Sequence, residues 1–340
     1  MAKQEALRTE QMDAPQGFRT RPLSPYVGLE ILGVDLDRDL DPETIENIRA
    51  AWIDAGVLLF RGCGHSTEAQ MRLSRCFGEL QPSANKELNL DSNPYLLNLA
   101  YDPNSERAWT ATLYEVGGQV RAGWLGWHWD QSFVPRIVRG AVLRMIQVPA
   151  AGGETGFMDA IGAYDRLPES LKKRIEDLEI VYEFVRIDET ERNRFGFPKD
   201  LRAIRKADVS ALKSKEGITG NEFPPVVHPL VITQRETGRK VLKLSPMHSQ
   251  YILGMEPAES DALLHELADH LVDPRYAYFH TWQKDDMIVW DNWRGIHCAN
   301  GVPPECARHV QRTTIIGDYE FGRYLDPAHE KDAPTNFVYD

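Results

Sequence analysis

The sequence predicts a mainly β chain with inserted helices, arranged as a double-stranded β-helix, or jelly roll. Two observations carry that prediction. The second half is dominated by short apolar runs of strand length: Val226 to Thr233, Lys240 to Leu244, Tyr276 to Trp282, Met287 to Asp291 and His309 to Ile316. Helical patterns interrupt these runs as insertions, and no internal repeat or low-complexity segment points to a solenoid or a linker. Short strands with helical additions suit two packed sheets.

The elements follow in chain order. Residues 1–21 are polar and lack periodicity, so they read as a flexible arm before one domain spanning 22–340. Val27 to Leu36 alternates around Gly28 and Gly33, which predicts a short strand pair. Asp41-Pro42 opens a helix whose stripe is Ile45, Ile48, Ala51 and Trp52 and whose end is Gly56. Val57 to Phe60 is a buried-type strand. Thr67 and Gln70 have the spacing of a capping box, leading a helix to about Phe77. Tyr95 to Ala100 and Gly140 to Val148 read as strands, and Leu167 to Leu178 as an amphipathic helix. A polar stretch at about 186–222 is long and irregular, as in a lid or insertion over a site. Arg235-Glu236-Thr237-Gly238 is a hairpin turn, and Asp261 to Leu271 is helical.

Composition narrows the function. Lys and Arg total 39 against 51 Asp and Glu, so the net charge is −12, which argues against a nucleic-acid binder. No apolar run approaches the ~20 residues of a membrane span, and no apolar segment near Met1 reads as a secretory signal. Cys63, Cys76, Cys298 and Cys306 are scattered and form no CxxC pair. They read as free thiols of a reducing compartment, with the cytoplasm as the expected location.

The chemistry gathers at three places. In Trp127-His128-Trp129-Asp130, a strand would turn His128 and Asp130 to one face, offering an imidazole and a carboxylate. Alone, that pattern is better explained by a His–Asp hydrogen bond in a polar loop. His297 follows a buried-type strand and a polar turn. Two histidines and one carboxylate are the ligand set of a facial iron site with positions left open, whereas three histidines would indicate zinc. Arg308 and Arg312 lie four apart on one strand face with Val310 and Thr314. Facing inward, two guanidiniums require an anion; facing outward, they would decorate an edge. Gly152-Gly153-Glu154-Thr155 reads simply as a turn.

Together these residues resemble the Fe(II)/2-oxoglutarate-dependent dioxygenases of the taurine dioxygenase and 2,4-dichlorophenoxyacetate dioxygenase family. Asp130 to Thr155 is 25 residues, Thr155 to His297 is 142, and His297 to Arg308 is 11. Flanking segments fit as well: Gly28-Leu29-Glu30-Ile31, Gly33-Val34-Asp35-Leu36, His228-Pro229-Leu230 and Trp290-Asp291-Asn292. The resemblance spans about residue 22 to about residue 320 and implies a jelly-roll fold. By position it implies that His128, Asp130 and His297 hold Fe(II), and that Thr155 and Arg308 bind the distal carboxylate of 2-oxoglutarate. Arg312 matches a second family arginine that grips either a substrate anion or the co-substrate. With O2 as oxidant, the implied reaction hydroxylates a small organic carboxylate, sulfonate or sulfate and releases succinate and CO2. If the hydroxylated carbon bears a heteroatom, the product would collapse and release it. Family members are often dimers or tetramers, which leaves a homo-oligomer open.

The chain departs from taurine users in one respect. Phe77-Gly78-Glu79-Leu80 is followed by Gln81-Pro82-Ser83-Ala84, with no histidine. Trp127 and Trp129 should point away from the triad into packing. Trp124 is a candidate for the pocket entrance, and His248 a candidate substrate contact. Two other readings are a cupin-like metal hydrolase or isomerase holding zinc or manganese, and a non-catalytic jelly-roll binding protein. The first gives Thr155 and Arg308 no reason to stand at these spacings, and the intact triad argues against the second, because a binder needs no open iron site.

Overall fold

A computed structural model gives the structure of residues 17–82, 89–90, 93–105, 111–184, 195–206 and 223–331. Strand β1 (Arg19–Pro22) pairs antiparallel with β2 (Leu29–Leu32). The pair expected within Val27 to Leu36 is therefore a single strand, and its partner lies upstream. The arm expected to reach residue 21 gives way to structure by Arg19; its first 16 residues lie outside the described part. A polar edge strand leaves no alternation to read. Its hold is specific: Arg21 Nε donates to the buried Glu30 at 2.9 Å.

Helix α1 (Pro42–Ala55) forms as expected. The Asp41 carboxylate accepts from Thr44 N at 2.8 Å, and Gly56 closes the helix at φ 75°, a conformation that favours glycine. Strand β3 (Val57–Phe60) is buried throughout. Helix α2 (Thr67–Arg75) is capped one residue earlier than the capping-box spacing suggests, by the Ser66 hydroxyl on Ala69 N at 3.0 Å. There follow β4 (Leu80–Gln81), β5 (Asn89–Leu90), β6 (Asn93–Tyr101), β7 (Leu125–His128), β8 (Gly140–Gln147) and β9 (Thr155–Asp159).

The helix expected over Leu167 to Leu178 forms in shortened form as α4 (Glu169–Ile175), and a further short helix outside the expected range, α3 (Ala160–Arg166), precedes it. Pro168 separates them, because proline opens a helix but cannot continue one. Helix α5 (Pro257–Leu271) begins four residues before the expected Asp261. The chain closes with β10 (Tyr278–His280), β11 (Met287–Asp291), β12 (Gly295–Ala299) and β13 (Arg308–Ile315). Of the expected lid, residues 195–206 are described. They carry a strand, Arg202–Arg205, paired with Leu113–Val116. The rest of 186–222, with Arg186, Arg192 and Arg194, lies outside the described residues.

The large sheet runs β1-β2-β3-β11-β8-β13-β6-β5, with β4 added beside β13. Only β2 and β3 pair in parallel among its named neighbours. The small sheet runs β10-β9-β12-β7. One core lies between the two and joins Ala141, Leu143, Ile288, Trp290 and Val310 of the large sheet to Phe157 of the small one. A second core packs α1 and α2 on the other face of the large sheet. A third sets Trp129, Met158 and Ile296 against α3, α4 and α5. The jelly roll thus appears as expected, as facing sheets. All four cysteines are free and buried. Among the described residues, no helix is long and apolar enough to cross a membrane.

Candidate active site

Strands β7 and β12 are neighbours, and His128 and His297 are Cα partners across them. Their rings stand 4.2 Å apart. Asp130 is not on the same strand, because β7 ends at His128; the carboxylate comes from the turn that follows. Gln131, at φ 60°, bends the chain away immediately afterwards, a costly backbone for a non-glycine residue. Asn292 holds the turn in place. Its side-chain oxygen accepts from Asp130 N at 2.6 Å, and its amide donates to Asp130 O at 3.0 Å and Val138 O at 3.1 Å.

The three side chains converge. Asp130 Oδ1 is 3.9 Å from His128 Nε2 and 3.8 Å from His297 Nε2. Their candidate ligand atoms all lie within 4.8 Å of one another, and all three residues are buried. His128 Nδ1 sits 2.7 Å from Gly126 O. A carbonyl only accepts, so Nδ1 carries the proton and Nε2 offers its lone pair. Burial keeps both rings neutral: it holds His128 below the usual histidine range and, with His128 alongside, pushes His297 down to about 3. Burial works to raise Asp130, but the Arg312 guanidinium against it outweighs burial and holds the carboxyl well below the usual range. Two neutral imidazoles and one carboxylate are a donor set that a divalent metal ion fits.

The arginine face points inward, with Val310 wholly buried between Arg308 and Arg312. Arg312 Nη1 donates to Asp130 Oδ1 at 3.1 Å, its Nη2 stands 2.9 Å from Oδ2, and its guanidinium lies 5.5 Å from the Trp290 ring centre. Among the described residues no carboxylate pairs with Arg308. Burial pushes its guanidinium down to about 10, and its Nε has no partner among the described residues. Gly153 takes φ 83°, and a Cβ there would lie 2.7 Å from Pro149 Cγ and 3.4 Å from Arg308 Cδ, so the turn leading into Thr155 passes close to the Arg308 stem. Thr155 is buried, and its Oγ accepts from Trp282 Nε1 at 3.0 Å.

A cavity of about 330 Å³ opens on Asp130 and Arg312, the only fully charged side chains among its described lining. Its walls include Tyr95, Leu97, Leu125, Phe133, Met247 and His248. His248, a candidate contact, does border it, with Phe133 and Phe184 rings at 5.2 and 5.8 Å. Trp124 does not. It packs on Tyr114 and Phe197, each at 5.6 Å, because the turn preceding β7 directs it to that small aromatic group. Trp129 is fully buried in packing, and Trp127 stacks edge-on with Phe279, as strand alternation requires.

Three residues here escaped the sequence reading. Asn292 was visible only as part of a flanking segment. Lys243 is buried with its ammonium 2.7 Å from Asn292 O and 4.1 Å from the Trp129 ring centre; a lysine inside the apolar run 240–244 was the available signal. Trp282 carried none.

A family model described as Taurine catabolism dioxygenase TauD, TfdA family matches residues 19–314. The chain belongs to this family. It is accordingly a dioxygenase, an oxidoreductase. TauD/TfdA relatives include a (S)-phenoxypropionate/alpha-ketoglutarate-dioxygenase of Sphingobium herbicidovorans, 30% identical across 88% of this chain and 96% of its own. An alkylsulfatase of Acinetobacter baylyi is 28% identical across 91% of this chain and 88% of its own. A crystal structure of a taurine dioxygenase from Burkholderia xenovorans superposes with a TM-score of 0.68 at 25% identity, covering 91% of this chain and 95% of that one. The TauD/TfdA match covers every residue of the triad, Thr155, Arg308 and Arg312.

Proposed function

We propose that this TauD/TfdA member is an Fe(II)- and 2-oxoglutarate-dependent dioxygenase that hydroxylates a small organic monoanion. The observation that carries the proposal is the buried convergence of His128, Asp130 and His297 beside two inward arginines. His128, Asp130 and His297 would hold the metal, leaving open positions on a six-coordinate ion. Bound there, Fe(II) would supply O2 activation coupled to oxidative decarboxylation of 2-oxoglutarate to succinate and CO2. Thr155 and Arg308 would bind the distal carboxylate: Arg308 is a withdrawn cation with an unfilled Nε donor. Arg312, at the cavity, would orient the anionic head of the substrate, while Phe133 and its apolar neighbours exclude water from the body.

Charge argues for the substrate class. Asp130 and the two arginines leave one positive charge, and a divalent metal raises it by two. Doubly charged 2-oxoglutarate and a singly charged substrate cancel the total. A carboxylate, sulfonate or sulfate monoester has that charge, and the relatives' names include both a phenoxypropionate and an alkyl sulfate enzyme. The acidic chain and its buried free thiols support a cytoplasmic enzyme acting on small molecules rather than nucleic acid.

The test is anaerobic addition of Fe(II) and 2-oxoglutarate. A weak visible charge-transfer band that vanishes in His297→Ala is the expected result. Metal binding without a band would favour a hydrolase or binding protein instead. With a substrate in hand, Asp130→Ala should release no succinate; full activity in that variant would sink the assignment.

A further inference from the structure

We infer that Trp282 is a positioning residue for the co-substrate: its indole N–H commits the Thr155 hydroxyl to donate toward the distal carboxylate of 2-oxoglutarate. The inference rests on the function proposed above and goes beyond it, because Trp282 touches neither metal nor cavity. An indole N–H can only donate. At 3.0 Å from Trp282 Nε1, Thr155 Oγ therefore accepts. A hydroxyl has one hydrogen, and once its oxygen accepts from the indole, that hydrogen must find its own acceptor. Among the described residues none takes it. The function proposed above puts the distal carboxylate of 2-oxoglutarate against Thr155 and Arg308, and Arg308 Nε is likewise without a partner among the described residues. Two donors then face one acceptor-only group, which is what a carboxylate offers.

The indole cannot easily turn away. It is buried with Phe157 and Val310 in the core between the sheets. The His280 ring meets it nearly at right angles, 4.6 Å between centres. His280 is itself held, with Tyr278 Oη at 2.8 Å from its Nδ1 and Asp286 Oδ2 at 3.0 Å from its Nε2. Arg61 grips Asp286 from outside at 2.7 and 2.9 Å. His280 is also the Cα partner of Thr155 across β9 and β10. Strand register and ion pairs thus fix donor and acceptor against each other. If the bond merely closed the core, losing it would change stability alone. If it sets hydroxyl direction, losing it lets the hydroxyl rotate and present a lone pair to the carboxylate.

The experiment is a double-mutant cycle read as 2-oxoglutarate affinity, by anaerobic titration of the charge-transfer band and by calorimetry with Mn(II). Trp282→Phe should weaken 2-oxoglutarate about tenfold, equivalent to about 1.4 kcal/mol, with metal affinity unchanged. In a Thr155→Val background the same change should have little further effect, and Thr155→Ser should keep wild-type coupling. Equal weakening in both backgrounds would overturn the inference, since the indole would then act by packing. So would unchanged affinity in Trp282→Phe. Should that variant fail to fold, the benzothiophene analogue of tryptophan placed at 282, similar in shape and without the N–H, carries the same cycle. No band in the wild-type chain would overturn the function proposal together with this inference; a wild-type band with no coupling overturns this inference alone.

Discussion

Replacing Asn292 by alanine tests how the turn carrying the candidate metal ligand Asp130 is held. The side chain is wholly buried and makes three hydrogen bonds: from Asp130 N at 2.6 Å, to Asp130 O at 3.0 Å and to Val138 O at 3.1 Å. Alanine leaves one peptide N–H and two carbonyls without these partners in the interior. At about 1 kcal/mol for each bond lost, the expected destabilisation is about 3 kcal/mol. Unfolding entropy of roughly 2 cal/mol/K per residue makes this about a 4 °C fall in Tm for a chain of 340 residues. The second effect is on the metal. Asp130 lies beyond the end of β7, in a turn with a left-handed residue at 131; Arg312 grips its carboxylate, but Asn292 holds the backbone that carries it to 3.8–3.9 Å from the imidazoles. Loss of such supporting contacts weakens metal binding by about 10- to 100-fold. Asn292→Asp is the sharper variant, because it replaces the NH2 group that donates to both carbonyls by one oxygen facing them and should be worse than alanine. Thermal unfolding of the apoprotein and Mn(II) titration read the two effects separately. Wild-type Tm and wild-type Mn(II) affinity in Asn292→Ala would refute the reasoning.

His228 is buried neutral between Val134 O and the Tyr319 hydroxyl, and burial pushes it down to about 3. The unfolded state takes up a proton below about 6.5 that the folded state refuses, so stability is whole above that pH and is lost as pH falls toward 3. At pH 5 the loss is about 2 kcal/mol; urea unfolding of wild type and His228→Asn at pH 7 and 5 should show a smaller drop in the variant, and equal drops would disprove the role. Arg308→Met removes a desolvated cation with an unfilled donor, so the apoprotein should gain roughly 1 kcal/mol or more while 2-oxoglutarate no longer binds. A destabilised apoprotein would mean that Arg308 has a structural partner. Arg312→Ala should spare 2-oxoglutarate affinity and abolish substrate affinity; the reverse pattern would reassign Arg312 to the co-substrate.

The parts of the fold that repeat along the chain were legible in it. Apolar runs such as Val57 to Phe60 and Met287 to Asp291 announce strands because both faces are buried. Asp41-Pro42 and Gly56 announce the limits of α1 because capping is local chemistry. Elements held by distant partners were not legible. Strand β1 is polar and mostly exposed, and exists through its ladder with β2 and the Arg21–Glu30 contact. Helix α3 is capped by Asp159 and packed into the core it shares with α4, and it is too short to show a periodic stripe of its own.

The site divides along the same line. Metal ligands and anion-binding arginines are reactive groups of few kinds, and their spacing is constrained by strand register; His128 and His297 are direct cross-strand partners, so their separation in sequence records a real adjacency. The residues that orient them are ordinary amides, lysines and indoles, common anywhere in a protein. Nothing in the order of the chain says that Asn292 will meet Asp130, that Lys243 will lie buried behind both, or that Trp282 will reach Thr155. Those contacts arise only when the two sheets close on each other. Yet under the proposed function they would decide which oxygen faces the metal and which hydrogen faces the co-substrate. Two TauD/TfdA chains with the same triad spacing can therefore differ in metal and co-substrate affinity through residues outside the motif, and substitutions behind the site are the place to look for such differences.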